Sequence, residues 1–142
     1  MPESTQIEKN KVIYRRFIQE IFNEGRLDKL TELVSPDYVL RAAPPGTPSG
    51  QEAIKQIVTM FRTAFPDLKI TIEHLIGEGD TLAARSVTEG THQGTIFGIH
   101  ATGKAIKMPG LTMVRIANGK LQESWVRNDV LGLMNQLDPS RL

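Results

Sequence analysis

Hydrophobic and polar residues follow two different periods along this chain, and the change falls near residue 68. Before that point, apolar residues recur every three to four positions over residues 7–22, 27–34 and 50–65. This spacing is typical of amphipathic helices and predicts one in each range. A short strand is predicted over residues 37–43, followed by a loop rich in proline and glycine. The predicted order of the first half is therefore helix, helix, strand, helix.

Capping and stop signals set the predicted limits of these helices. Ser4 and Thr5 are candidate N-caps of the first helix, because their side chains can accept a backbone N–H of its first turn. Pro36 is expected to end the second helix. Ser49 and Glu52 have the Ser-x-x-Glu spacing of a capping box, which predicts that the third helix begins there.

In the second half of the chain the period drops to two, as in strands that bury one face. Strands are predicted over residues 68–76, 81–89 and 104–108, with a Pro-Gly break after the last of these. Two further strands flank Asn118-Gly119. This dipeptide is the strongest short-range signal for a hairpin with a two-residue type I′ turn.

The second strand of that hairpin combines an aromatic residue with ionisable ones. Four side chains occupy every other position and therefore share one face of the strand: Glu123, Trp125, Arg127 and Asp129. Such a face is reasonable where a sheet lines a pocket, meets solvent or meets a second subunit. Asp129 also precedes a predicted helix over residues 130–137 and is a candidate for its N-cap.

Helices followed by an antiparallel meander are typical of the α+β class. We expect a cone-shaped, curved mixed sheet, mostly antiparallel, with the helices packed on its concave face. The mouth of such a cone is the expected site for a small molecule.

Composition narrows the classes of function. The chain of 142 residues fits one domain over residues 1–142. It has no cysteine and a net charge of +1, so thiolate chemistry is excluded and binding to nucleic acid or anionic membranes gains no support. No apolar run approaches the roughly 20 residues of a membrane span. We therefore expect a soluble, cytoplasmic protein.

Three side chains are candidates for acid–base chemistry. A carboxyl group beside an aromatic wall can move protons, so Asp129 is a candidate acid or base. Capping of the following helix explains an aspartate at this position equally well. Glu123 would be a second carboxylate on the same face, or one half of a surface ion pair. His92 lies in a bend-rich segment, where it would transfer protons near neutral pH or hydrogen-bond a turn.

The other histidines give weaker signals. His74 interrupts an aliphatic alternation and is predicted to lie in the core or in a pocket wall. His100 is predicted to be exposed in a loop. The histidines are far apart in sequence and form no metal-ligand spacing, so we expect no metal site.

Several short segments, in their order and spacing, carry a family resemblance. They are residues 22–25 (FNEG), 35–38 (SPDY), 90–94 (GTHQG), 97–98 (FG), 101–104 (ATGK), 115–125 (RIANGKLQESW), Asp129 and 136–137 (QL). With them, nearly the whole chain resembles the SnoaL-like ester cyclases, or polyketide cyclases, of the nuclear-transport-factor-2-like superfamily. The resemblance implies a cone-shaped α+β barrel, a deep apolar pocket and a homodimer. It also implies ring closure by intramolecular aldol condensation, with an aspartate as acid and base and no cofactor.

The chain departs from this family at the expected acid–base pair. The resemblance places the family's aspartate at Val126 and its histidine at Thr112, and neither side chain moves protons usefully. Asp129 is therefore the preferred acid or base, with His92 or Glu123 as its partner. The residues expected to contact the substrate are Trp125, Arg127, His74, Arg85, Tyr14, Phe61, Thr112 and Val126.

Three functions are compatible with these observations. The leading one is cofactor-independent acid–base catalysis on a hydrophobic, carbonyl-bearing small molecule, as in a polyketide (ester) cyclase. The alternative is a non-catalytic module of the same fold that binds a small molecule or dimerises, so whether the protein is an enzyme stays open. A weaker alternative is limonene-type epoxide hydrolysis, for which Asp80, Arg85 and Asp129 supply the residue types.

Overall fold

The computed structural model describes residues 2–141. Its helical elements are α1 (Pro2–Arg16), a π-helix that continues α1 (Phe17–Asn23), a 3-10 turn (Leu27–Lys29), α2 (Leu30–Leu33), α3 (Gln51–Ala64), α4 (Val130–Leu137) and a 3-10 turn (Pro139–Arg141). None of the helices in this range is long and apolar enough to cross a membrane.

Five strands within the described residues form one sheet. They are β1 (Val34–Arg41), β2 (Lys69–Glu78), β3 (Thr81–Thr91), β4 (Ala105–Ala117) and β5 (Lys120–Asn128). Their order across the sheet is β1-β5-β4-β3-β2. β1 runs parallel to β5, whereas all other neighbours are antiparallel. The sheet is thus mixed and mostly antiparallel, which confirms the predicted fold class.

The hairpin of β4 and β5 turns at Asn118 and Gly119, as the sequence predicts. Both residues have positive φ angles, 55° and 75°, which a type I′ turn requires. The hairpin pairs Thr112 with Val126. Because side chains alternate between faces, the neighbouring Trp125 points to the opposite side of the sheet.

The helices pack on the inner face of the sheet through two groups of buried residues. The first group joins α1, the π-helix, α2, β1 and α3 to the sheet, and includes Tyr14, Ile21, Leu33, Val58 and Val114. The second group lies between the end of α3, β4 and α4, and includes Phe61, Phe65, Ile99, Met108 and Leu133. Each fully buried side chain of this kind stabilises the fold by roughly 1.5–3 kcal/mol, so the two groups hold the walls of the interior in place.

Two helices begin at other residues than predicted, because the side chains predicted to cap them do not do so. α1 begins before Ser4 and Thr5, which therefore lie inside the helix and do not form its N-cap. The N-cap of α3 is Gly50, with a φ of 65° and no side-chain cap bond. The predicted capping box of Ser49 and Glu52 thus does not form. The π-helix that extends α1 has no counterpart in the prediction.

Two strands run through prolines at which the sequence suggests breaks. β1 contains Pro36 because it is an edge strand, where a missing N–H can face away from the sheet. β4 continues through Pro109, whose carbonyl accepts the N–H of Asp129 at 3.0 Å just beyond the end of β5. The predicted separation of residues 104–108 from the final hairpin is therefore wrong.

A bulge in β2 reverses the faces of its side chains. The register with β3 shifts between Ile72 and His74. Ile70 and Ile72 pack against the core before the bulge, and Leu75 is buried after it, while His74 is exposed. The uniform alternation predicted over this strand is broken at that point, which moves His74 away from the interior.

Candidate functional site

The curved sheet and the helices enclose a cavity of about 400 Å³. This volume lies within the range of roughly 300–1,000 Å³ that is usual for small-molecule pockets. Most of the wall is apolar and includes Phe17, Ile18, Phe22, Ile54, Phe61, Leu68, Ile70, Phe97, Met108 and Val126. The cavity is therefore suited to a ligand with an extended hydrophobic surface.

Phe97 reaches this wall from a tight turn between β3 and β4. Ile96 and Ile99 exchange two backbone hydrogen bonds of 3.1 and 2.8 Å, and Phe97 between them has a φ of 51°. A left-handed conformation is uncommon for an aromatic residue. The turn places the Phe97 ring edge-on against Phe61, with 6.4 Å between ring centroids.

Two hydroxyl pairs supply the main polar surface of the cavity. Tyr14 from α1 lies beside the side chain of Thr112 on β4, and Tyr38 from β1 lies beside Ser124 on β5. Burial raises the pKa of Tyr14 to about 12 and also raises the pKa of Tyr38. Both phenols are therefore protonated near neutral pH and can donate hydrogen bonds to a ligand.

No carboxylate or imidazole lines the cavity within residues 2–141. Two arginines border it, but both occupy strand positions that alternate with the inward ones. The guanidinium of Arg41 pairs with Glu123 at 2.7 Å on the outer face, and that of Arg127 donates to the neighbouring Val126 carbonyl at 2.8 Å. The polar groups that the sheet directs inward are neutral, including Ser86, Thr88, Thr112, Ser124 and Asn128.

Asp129 caps α4. Its carboxylate accepts the backbone N–H of Gly132 at 2.9 Å, which is the N-cap role considered from the sequence. The side chain is exposed and is not part of the cavity wall. The structure thus accounts for Asp129 through local helix formation.

Glu123 lies on the outer face between two arginines. It accepts hydrogen bonds from Arg115 at 2.8 Å and from Arg41 at 2.7 Å. These partners, Arg115 first, lower the pKa of the Glu123 carboxyl below its ordinary value. A carboxylate held ionised in this way is a poor proton donor near neutral pH. Glu123 is therefore part of a surface ion pair, which is the alternative to a catalytic role considered from the sequence.

His92 is fully buried, away from the cavity, and organises the segment between β3 and β4. Its Nδ1 accepts the backbone N–H of Thr102 at 3.1 Å, and its backbone bonds Gly103 and Lys104. This network assigns the ring proton to Nε2, which has no hydrogen-bond partner among the described residues. The ring packs against Phe65, with 5.7 Å between centroids. His92 therefore holds the segment that carries Phe97.

The residues predicted to contact the substrate are divided between the two faces of the sheet. Tyr14, Phe61, Thr112, Val126 and Arg127 border the cavity. The others do not: Trp125, His74 and Arg85 are exposed outside it. The alternation of β5 explains the position of Trp125, and the bulge of β2 explains that of His74.

The residue set considered for epoxide hydrolysis is not assembled in the cavity. Asp80 lies at the turn between β2 and β3 and approaches Arg115 at 3.9 Å. Arg85 pairs with Glu73 at 3.8 Å. With Asp129 at its helix cap, each of the three residues has a separate local role.

Sequence reasoning missed the second hydroxyl pair and several further polar wall residues, among them Ser86, Thr88 and Asn128. Ser124 alternates with the ionic residues of β5, so the even positions of that strand were the available signal for its inward direction. Nothing local in the sequence indicates that Tyr38 meets it, because the parallel pairing of β1 with β5 joins distant parts of the chain. No group of three or more side chains within residues 2–141 could hold a metal ion.

The fold defines an α+β protein of the nuclear-transport-factor-2-like type, with a cavity between its sheet and its helices. The family model for SnoaL-like polyketide cyclases matches residues 12–137, and the chain belongs to this family. This finding confirms the family predicted from the sequence segments.

Named relatives and a solved structure agree with this assignment. The aklanonic acid methyl ester cyclase DnrD of Streptomyces peucetius is 30% identical over 138 residues, which are 94% of this chain and 91% of that protein. The nogalonic acid methyl ester cyclase of Streptomyces nogalater is 31% identical over 121 residues, 83% of this chain and 90% of that protein. The structure of TsrD from Streptomyces laurentii has a TM-score of 0.84 and 27% identity, and the match covers 92% of this chain and 96% of that one.

Proposed function

We propose that the cavity binds an aromatic polyketide ester and promotes its intramolecular ring closure. The observation that carries this proposal is a mostly apolar cavity of about 400 Å³ whose wall includes the two buried tyrosines, Tyr14 and Tyr38. An apolar wall suits the fused rings of such a molecule, and phenolic donors suit its carbonyl oxygens. The relatives named as methyl ester cyclases support this substrate class.

Ring closure by aldol addition needs no change of oxidation state and only moves protons. We therefore propose that it proceeds without a cofactor, using the neutral hydroxyls of the cavity wall. The side chains predicted as acid and base have other roles in this proposal. Asp129 caps a helix, Glu123 forms ion pairs and His92 anchors a segment.

The experiment uses two neighbouring positions that face opposite sides of β3. Ser86 borders the cavity, whereas Arg85 is exposed on the outer face. Wild type, Ser86→Trp and the matched control Arg85→Trp are incubated with aklanonic and nogalonic acid methyl esters. Binding is measured by calorimetry and products by chromatography with mass detection. We expect a product of unchanged mass from wild type and from Arg85→Trp, and loss of both binding and product in Ser86→Trp.

The same experiment separates the alternatives. Non-catalytic binding is favoured by one observation, the lack of a carboxylate or imidazole in the described cavity wall. Binding by wild type with no product would support that function and contradict a cyclase. A product lighter by one methylene group, the free acid released with methanol, would indicate hydrolysis of the ester. Equal loss in both variants would show that the cavity is not the site.

We also propose that the protein forms a homodimer through the outer face of its sheet. A row of paired positions crosses that face from Ile76 through Ala83 and Met113 to Trp125. Met113 is 50% exposed and Ile76 is 54% exposed, and Leu111 and Val39 flank the row. An exposed apolar row of this kind supports self-association about a twofold axis, which sedimentation measures directly.

A cytoplasmic location is proposed as well. The absence of cysteine is compatible with a reducing compartment. Cell fractionation with an antibody against the protein measures this location, and recovery only in an extracellular fraction would contradict it.

A further inference from the structure

The two hydroxyl pairs lie close together in an otherwise apolar cavity. Tyr14 and Tyr38 come from different elements, α1 and β1, but are near enough to interact electrostatically. Their partners Thr112 and Ser124 lie on adjacent strands, β4 and β5, and point to the same inner face. The four hydroxyls thus concentrate the hydrogen-bonding capacity of the wall in one place.

Thr112 also occupies the position at which the family resemblance puts a histidine, while Val126, its cross-strand partner, replaces the aspartate. An ionisable acid–base pair is therefore absent where it is expected. The hydroxyl of Thr112 can still accept one proton while it donates another. Together with Tyr14, it places two neighbouring hydroxyl-bearing side chains in the cavity wall.

We propose that Tyr14 and Thr112 act as a neutral proton relay in ring closure, with Tyr14 as the proton donor and Thr112 as the group that returns its proton. This proposal rests on the proposed cyclase function. In the proposed step, the enol carbon of the substrate forms a carbon–carbon bond to the attacked carbonyl carbon. The carbonyl π electrons move to its oxygen, which takes the proton of the Tyr14 hydroxyl.

The other end of the relay restores Tyr14. The enol hydroxyl becomes a carbonyl and gives its proton to the oxygen of Thr112, whose own proton passes to Tyr14. One carbon–carbon bond forms, one carbonyl becomes a hydroxyl and one enol becomes a carbonyl. No water, oxidant or external base is consumed, so the product is an isomer of the substrate. The pair of Tyr38 and Ser124 holds the second substrate oxygen in position.

The environment of Tyr14 suits a donor that recovers its proton. The side chain is 3% exposed, and burial raises its pKa to about 12, so its hydroxyl is protonated throughout the neutral range. Besides Tyr14, the titratable and charged residues that border the cavity within residues 2–141 are Tyr38, Arg41 and Arg127. Burial raises the pKa of Tyr38 as well, so neither phenol loses its proton between about pH 6 and 9. The relay therefore predicts a kcat that is independent of pH in that interval.

The test compares Tyr14→Phe, Thr112→Val and Thr112→Ser with the wild type on aklanonic and nogalonic acid methyl esters. We expect Tyr14→Phe to lower kcat by about 100-fold or more while KM stays within about threefold, because a proton donor acts in the transition state. Thr112→Val is expected to lower kcat strongly, and Thr112→Ser, which keeps the hydroxyl, to restore most of it. Tyr38→Phe is expected to raise KM more than it lowers kcat.

Each outcome has a definite meaning. Circular dichroism and thermal melts first establish that each variant is folded. If the wild type closes the ring but Tyr14→Phe keeps its kcat within about threefold, or if kcat follows an ionisation between pH 6 and 9, the relay is overturned and the cyclase function stands. If Thr112→Ser is as slow as Thr112→Val, the hydroxyl of Thr112 has no part in the relay. If the wild type binds the esters without forming product, both proposals fail.

Discussion

Tyr14 and Tyr38 are buried phenols, and burial disfavours their charged form. For Tyr14 this effect outweighs the influence of the neighbouring Thr112 side chain on the pKa, which acts in the opposite direction. The chain contains two tyrosines, and both border the cavity. The ultraviolet absorbance of ionised tyrosine therefore reports on the cavity alone, with no background from other tyrosines.

We predict that the folded protein develops little tyrosinate absorbance at pH 10, and that Tyr14 ionises near pH 12. Its raised pKa makes the folded state bind a proton more tightly than the unfolded state. The associated stability is fully present below about pH 10 and is lost as the pH rises toward 12. For Tyr14 the loss is about 2–3 kcal/mol. Absorbance titration at 295 nm and denaturant unfolding at several pH values measure both quantities.

Tyr14→Phe is the control for that titration, because it removes the shifted group and keeps the ring. The variant should lose less stability between pH 10 and 12 than the wild type, while other groups that titrate in this interval affect both proteins equally. Full ionisation of both tyrosines near pH 10 in the folded wild type would contradict the burial described for the cavity.

At the scale of elements, Asp129 connects the end of β5 to the beginning of α4. Its carboxylate bonds the Gly132 N–H, and its own N–H bonds the Pro109 carbonyl. We predict that Asp129→Ala lowers the free energy of unfolding by about 1 kcal/mol, the usual cost of losing an N-cap. Turnover per folded molecule should stay unchanged, because the side chain lies outside the cavity wall.

A comparison with Asp37→Ala distinguishes capping from a general effect of charge, since Asp37 is exposed and precedes no helix. That control should unfold at nearly the wild-type denaturant concentration. If Asp129→Asn, which keeps a capping side chain, abolished turnover in a fully folded protein, the acid–base role considered from the sequence would be supported over the structural one.

Local signals predict those elements that local contacts determine. The Asn118-Gly119 turn and the cap at Asp129 depend on residues a few positions apart, and both are confirmed. Which strand residues point into the interior is harder to predict from the sequence. The bulge beside His74 shifts the pairing of β2 with β3, and no single residue of either strand indicates it.

The sequence predicts only part of the candidate site, because the rest depends on contacts between distant segments of the chain. The resemblance places the family's acid–base pair at Thr112 and Val126, and both residues border the cavity. Their surroundings depend on contacts between distant segments: β1 brings Tyr38 to Ser124, and α1 brings Tyr14 to Thr112. Only the assembled fold shows that both tyrosines border the cavity beside Thr112 and Ser124.

At the scale of the whole molecule, the final hairpin presents different residues on the two faces of the sheet. The inner face contributes Thr112, Ser124 and Val126 to the cavity, while the outer face carries Met113 and Trp125. A substitution on one face can therefore be made without touching residues of the other. The chain also has a single tryptophan, Trp125, whose fluorescence reports on the outer face.

We predict that Met113→Glu dissociates the proposed homodimer. A twofold axis would bring a glutamate at this position close to its own copy, and burying unpaired like charges costs several kcal/mol. The dissociation constant should rise by about 100-fold or more, measured by sedimentation over a dilution series. Trp125 emission should shift to longer wavelength at the same concentrations at which the mass halves, because the indole then meets water.

Val12→Glu is the matched control: Val12 is 58% exposed on α1, away from the sheet face, against 50% for Met113. It should leave both the mass and the emission unchanged. A wild-type protein that sediments as a monomer at about 100 μM would contradict the dimer, and equal dissociation of both variants would place the interface elsewhere.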